Sequence, residues 1–293
     1  MPQRFKKIIA ISAFLLAITN VPCWAVNLPF LSQSKVRLLV TPGQTAHGEI
    51  ILENPYPESR FMRIYLEDWY YLPAADGTKA FAPANTTPLS CASWITFSPS
   101  EITVPPYGRQ RIGYSVKVPA DASGGHYAIL FFETKLGETE SVGGGVGAGI
   151  NLSLRIASLF YVEAKGKLNR TGEIGNLVLK TDKNKSLLIQ SDFRNTGNVD
   201  ITCGGSFHIM DKEGIIYARG EFNNVYTFPG DSAKLTSIWK EQVPKGKYNL
   251  VLTINLGKAL EEETGFGRGP IMVKESEIEI DDSGEVVRVG ELK

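Results

Sequence analysis

Apolar and polar residues alternate with a period of two along most of this chain, in short runs punctuated by Gly, Pro, Asn and Asp. Such alternation puts successive side chains on opposite faces of a strand, and no segment holds the helical period of about 3.6 residues over three turns. The first block of strands reads Val36–Val40, Glu49–Glu53, Phe61–Tyr71, Trp94–Phe97, Arg109–Val118, His126–Leu136 and Ile150–Val162. Between them lie turn signals such as Thr41-Pro42-Gly43, Glu53-Asn54-Pro55 and Pro105-Pro106-Tyr107-Gly108.

A second block repeats the plan over Gly175–Thr181, Leu187–Phe193, Gly205–Met210, Ile215–Ala218, Ala233–Trp239 and Lys247–Leu256. Each block has an Asn-bearing turn after an early strand, then a Pro-Gly or Pro-Tyr-Gly turn. Each also has a Pro…Gly-x-Tyr strand start, at Pro119…Gly125-His126-Tyr127 and Pro244…Gly246-Lys247-Tyr248. Lys165–Thr171 reads as a linker, and Glu277-Ile278-Glu279-Ile280 closes one added edge strand, Ile271–Ile280. Parallel sheets would need helical crossovers that this pattern lacks. The expected fold is all-β: two immunoglobulin-like antiparallel β-sandwich domains in tandem, over 33–164 and 172–280, with a polar tail over 281–293.

The N-terminus follows a different pattern. Arg4, Lys6 and Lys7 precede the apolar run Ile8–Ile18, and Cys23-Trp24-Ala25 puts small residues at −3 and −1 of a cleavage after Ala25. This is a tripartite export signal over 1–25, its core too short to span a bilayer. A lipid anchor on Cys23 would want a small residue before it, where Pro22 stands, and an uncleaved anchor is the other alternative. Cleavage removes three bases and no acid, so the mature chain carries three more acids than bases. No later segment is apolar enough to span a membrane, and a soluble protein of the periplasm or cell surface is expected. Cys91 and Cys203 remain, as two separately buried thiols or as an interdomain disulfide; the first reading is the simpler.

Composition narrows the function. The full chain balances 31 Lys+Arg against 31 Asp+Glu, which argues against a nucleic-acid binder. Its 43% hydrophobic and 21% charged residues suit a packed globular chain. There is no HExxH, GxSxG or Cys-x-x-Cys motif, and His47, His126 and His208 fall on separate elements. Gly143–Ala148 matches GxGxxA, but an alternating strand follows it instead of the helix a nucleotide would need. The expectation is a protein that is not an enzyme, with no cofactor and no metal.

The strand Ile150–Val162 is apolar at every even position except Ser158, and polar at Asn151, Ser153 and Arg155. It completes a core, or it leaves an apolar edge for a partner beside the Gly137–Gly149 hairpin tip. In the order of its features the chain resembles the periplasmic pilus-assembly chaperones. The matching residues are Val36–Val40, Glu53-Asn54-Pro55, Tyr65…Trp69, Trp94–Pro99, Pro106–Ile112 and Leu159-Phe160-Tyr161. It is also similar to Gram-positive surface proteins whose immunoglobulin-like domain binds peptidoglycan or a surface partner.

The first resemblance implies a protein-binding module that takes a secreted, pilin-like subunit by β-strand addition. Ile150, Leu152, Leu154 and Ile156 would lend the apolar side chains. A basic pair would anchor the subunit's terminal carboxylate: Lys35 or Arg37 from the first strand, and Arg155 as the base nearest the family's second position, at Ala157–Ser158. The second resemblance implies a structural surface protein binding a cell-wall component, with Trp69, Tyr70 and Tyr71 as its aromatics.

Overall fold

The β-branched and aromatic residues of the alternating runs pair into four sheets. The computed structural model describes residues 29–138, 151–258 and 269–293, so the expected export signal and the Gly143–Ala148 motif lie outside the described residues. In the first sandwich one sheet is ordered β1 (Phe30–Leu31), β3 (Thr45–Glu53), β8 (Arg109–Lys117), β6 (Ile95–Ser98). The facing sheet runs β2 (Lys35–Val40), β10 (Asn151–Ala164), β9 (Gly125–Glu138), β4 (Arg60–Tyr71), β5 (Lys79–Pro83), with β7 (Glu101–Val104) paired to the start of β4. The strand pairs are antiparallel except β10 with β2, which run parallel from Leu159↔Lys35 to Ala164↔Val40.

The second sandwich sets β11 (Gly172–Thr181), β12 (Leu187–Asn195) and β15 (Ser232–Trp239) against a five-stranded sheet. That sheet is ordered β14 (Ile216–Thr227), β13 (Ile201–Met210), β16 (Gly246–Asn255), β17 (Ile271–Ile280), β18 (Val286–Val289). Two expectations are corrected here. Ile271–Ile280 is not an edge strand, because β18 pairs with its outer side. The segment expected as a polar tail supplies that strand, and Glu275 and Lys293 exchange backbone hydrogen bonds at 3.1 and 2.9 Å.

Each sandwich has its own core. Ile50, Leu52, Met62, Ile112, Leu130, Phe132 and Phe160 are fully buried in the first; Ile189, Phe193, Phe207, Leu235 and Leu252 in the second. Each such side chain contributes roughly 1.5–3 kcal/mol relative to exposure. Cys91 lies in the first core and Cys203 in the second, both as free thiols. A third cluster sits on the outer face of the six-stranded sheet, where Trp69, Tyr71, Tyr127, Ile129, Phe131 and Tyr161 meet Phe228 of the second sandwich. Tyr127 stacks on Phe228 at 4.0 Å between ring centroids. Where this cluster covers them, the end of β4, the middle of β9 and the end of β10 are buried on both faces, which is why Tyr127–Phe132 is continuously apolar.

The sequence echo has a physical basis. Asn54 and Asn195 are both fully buried, one at the end of β3 and the other closing β12. The Asn54 side-chain amide donates to the carbonyls of Glu58 (2.7 Å) and Pro105 (3.1 Å), and its backbone N–H to Gly108. Asn195 donates likewise to the carbonyl of Val199 (2.9 Å), with its backbone N–H on Asp231. Each asparagine thus docks its own turn onto the Pro-Gly-type turn opposite. In both Gly-x-Tyr starts the tyrosine folds back over the glycine. A Cβ at Gly125 would meet the Tyr127 hydroxyl at 2.4 Å, and one at Gly246 the Tyr248 ring at 2.9 Å.

Candidate partner-binding site

Strand β10 is paired along its whole length by β9, but β2 covers its other side only from Leu159 onward. Among the described residues no strand pairs with that side over Ser153–Ala157. The Leu159 N–H bonds the Ser34 carbonyl at 2.9 Å, so by strand alternation the backbone groups of Ser153, Arg155 and Ala157 also point to this side. An edge of unpaired N–H and C=O groups is a template for another strand. Ser158, the break in the alternation, is buried, and its hydroxyl donates to the Gln33 carbonyl where the open stretch ends.

The even face of β10 points into the first core. Phe160 and Val162 are fully buried there, Ile156 packs against the same cluster, and Leu154 is half-buried beyond it. Leu152 lies within the strand, and Ile150 lies outside the described residues. The odd face carries Ala157, Leu159 and Tyr161 into the aromatic cluster between the sandwiches.

At the lower end of the open stretch this cluster forms a floor beneath two lysines. Lys35 Nζ lies 5.1 Å over the Tyr161 ring. Lys79 Nζ lies 5.6 Å over Tyr71 and 5.9 Å over Trp69, and donates to the Gly77 carbonyl at 3.0 Å. Burial, then the charge of Lys35, holds the Lys79 ammonium pKa below its ordinary value. The Tyr71 and Tyr161 hydroxyls approach within 3.3 Å, and burial pushes the Tyr71 phenol well up.

Behind the floor, Arg37 joins the two sandwiches. Its guanidinium meets Glu163 at 2.6 Å and the Asp200 carboxylate at 3.1 and 2.9 Å, while Arg170 of the linker reaches the same Glu163 oxygen at 2.7 Å. Two cations and two anions thus balance in a buried network, where an unpaired charge would be costly. Asp200 donates its backbone N–H to the Tyr127 oxygen at 2.6 Å. Burial, then the Asp200 charge, raises the Tyr127 phenol far above its ordinary value.

Of the expected anchoring bases, only Lys35 stands at the open end of the edge. Arg37 is corrected: its side chain is only 13% exposed and bound to Glu163 and Asp200. Arg155 is corrected too. It lies over the Phe131 ring at 4.1 Å and pairs with Glu67 at 3.3 Å, roughly 13 Å along the strand from the level of Lys35. Lys79 carried no sequence signal, because it comes from the unrelated β4–β5 hairpin. Trp69 and Tyr71 are buried between the sandwiches and only Tyr70, 40% exposed, faces solvent. The aromatic run therefore offers no glycan-binding face. His47, His126 and His208 stay on β3, β9 and β13, and among the described residues no cluster of His, Cys, Asp and Glu is placed to hold a metal.

No family model and no curated protein matches the sequence. Solved structures similar to the chain include the class 5 fimbriae chaperone CfaA, at 12% identity over 84% of this chain and 98% of that one, with a TM-score of 0.46. A chain of the chaperone–tip adhesin complex of CFA/I fimbriae is similar at 10% identity over 84% and 97%, also at 0.46. A chain of the Salmonella enterica SafA pilin–SafB chaperone complex is similar at 11% identity over 85% and 96%, at 0.41.

Proposed function

We propose that the chain is an exported, non-enzymatic chaperone that takes an extended segment of a secreted, pilin-like subunit as an added strand on Ser153–Ala157 of β10. The open edge carries this reading: over Ser153–Ala157 the strand is held by β9 alone, while β2 pairs its other side from Leu159 onward. The resemblance read from the sequence agrees with it. The domains are the two sandwiches, the first built from β1 to β10 and the second from β11 to β18, so that the second reaches past residue 280, behind an export signal at 1–25.

The direction of the added strand follows from position and charge. β2 occupies the same side of β10 from Leu159 onward and runs parallel to it. An incoming strand parallel to β10 would end beside Lys35; an antiparallel one would begin there. The ammoniums of Lys35 and Lys79 favour a terminal carboxylate over a terminal amine at that point. This supports the C-terminal strand of the subunit as the incoming segment, laid parallel to β10, as the resemblance read from the sequence also implies. On the apolar face Leu154 would contact it, with Leu152 and Ile150 as the further expected contacts.

A photo-crosslinking residue at Ser153, in the full chain expressed in its own envelope, tests this reading. The expected product joins Ser153 to the C-terminal strand of an exported subunit. Crosslinks found only to other parts of this chain, with the protein recovered alone and monomeric, would sink it.

A further inference from the structure

The open half of β10 has an unusual mechanical problem. Ser153–Ala157 is hydrogen-bonded to β9 alone, and a bulge interrupts the pairing between Asn151 and Ser153. Its apolar face is only partly anchored, with Leu154 half-buried. A strand paired on one side only has fewer hydrogen bonds and buried contacts to hold it, the features that accompany local opening. Yet an edge that receives a strand has to be held straight before the partner arrives, since ordering it on binding costs affinity.

We infer that Arg155 is a positioning residue that braces the open half of β10 against the outer face of the sheet, keeping the edge extended and ready to accept a strand. From the middle of the open stretch its guanidinium lies 4.1 Å over Phe131 of β9 and 5.2 Å over Phe81 of β5. Its Nη1 meets Glu67 of β4 at 3.3 Å. The plate beneath is itself fixed. Phe81 packs edge-on to Phe131 at 5.0 Å, Tyr65 lies 5.7 Å from Phe131, and the Tyr65 hydroxyl donates to Glu133 at 2.5 Å. One side chain thus ties β10 to β9, β4 and β5. A planar, permanently charged group suits a stacked and ion-paired site of this kind better than lysine does.

The inference rests on the strand-addition reading for its purpose but not for its first test. Hydrogen–deuterium exchange on the full chain reads the brace without a partner. In Arg155→Ala the Leu154 and Ile156 amides, which point toward β9, exchange about tenfold faster, while the β4–β9 amides and the melting temperature hold. Arg155→Lys, which keeps the charge toward Glu67 but loses the stacking, recovers part of the protection. The second test uses a synthetic peptide of alternating valine and threonine with a free carboxylate. The wild-type chain binds it, and Arg155→Ala binds it about tenfold more slowly. Unchanged exchange at Leu154 and Ile156 would overturn the brace, as would a loss of protection spread evenly over the sandwich. Faster local exchange in the variant, with no peptide bound even by wild type, would uphold the brace and count against strand addition.

Discussion

Arg37 and Asp200 join the two sandwiches through a two-point ion pair, Nη1 to Oδ1 at 3.1 Å and Nη2 to Oδ2 at 2.9 Å. Both groups are nearly withdrawn from water, with side-chain exposures of 13% and 4%. Removing Asp200 leaves Arg37 and Arg170 sharing the single Glu163 carboxylate, so one buried positive charge goes uncompensated. Asp200→Ala is therefore expected to lower stability by about 3–5 kcal/mol in denaturant unfolding. The double change Arg37→Met with Asp200→Leu removes both charges and should cost much less than Asp200→Ala alone. Equal losses in the single and double variants would show that the pair does not hold the interface.

Burial raises the Tyr71 and Tyr127 phenols above their ordinary 10.0 and the Cys91 and Cys203 thiols above 9.0. The unfolded chain loses these protons at the ordinary values while the folded chain keeps them. Stability is thus intact below about pH 9 and falls as pH rises, by up to about 1.4 kcal/mol per pH unit for each group ionised only in the unfolded state. Lys79 works the other way. Its depressed folded pKa adds stability as pH climbs toward its ordinary 10.5, which offsets part of the loss. Urea midpoints measured from neutral to strongly alkaline pH should decline, and Tyr71→Phe should flatten the slope. A midpoint constant across that range would contradict the burial of these groups.

Much of this architecture is legible in the residues. The strands expected at Phe61–Tyr71 and Ile150–Val162 lie within a residue or two of β4 and β10, because a long alternation with one buried face fixes both the period and the register. The strands β1, β5, β7 and β18 left little trace. They are short, pair on one side and bury few side chains, so their hydrophobic pattern is weak. The third cluster was hidden for a different reason. Trp69, Tyr127 and Tyr161 read as ordinary strand aromatics, and only Phe228, from the other sandwich, makes an interface of them. Arg37 shows the same limit, since a base near the first strand cannot be told from a bound one until Asp200 is beside it.

Asn54 and Asn195 should respond alike to substitution. Truncation removes a fully buried amide that donates to the Glu58 and Pro105 carbonyls in one case and to the Val199 and Thr227 carbonyls in the other. Asn54→Ala and Asn195→Ala are each expected to cost about 1–3 kcal/mol. Asn54→Asp should cost more at neutral pH, because a carboxylate would face carbonyl oxygens, and should recover as acid protonates it. Thermal unfolding at pH 5 and pH 7, chosen to bracket the titration of such a buried carboxyl, reads the difference. If Asn54→Asp were as stable as wild type at both values, the buried amide would not be the turn's anchor.

Leu154 and Phe160 lie on the same face of β10, yet they should separate stability from binding. Phe160 is fully buried in the first core, and Phe160→Ala is expected to cost about 3–5 kcal/mol. Leu154 is half-buried at the rim of that core, beside the open edge, so Leu154→Ser should cost about 1 kcal/mol or less. Ile156, packed against the core but not enclosed by it, belongs between them. If the open edge receives a subunit, Leu154→Asp places a charge where the added strand must bury apolar surface. Binding is then lost while the melting temperature of the isolated protein stays near wild type. The measurement is a melting curve for each variant alongside recovery of the crosslinked subunit. A melting temperature for Leu154→Ser as low as that for Phe160→Ala would make Leu154 a core residue and remove it from the docking face.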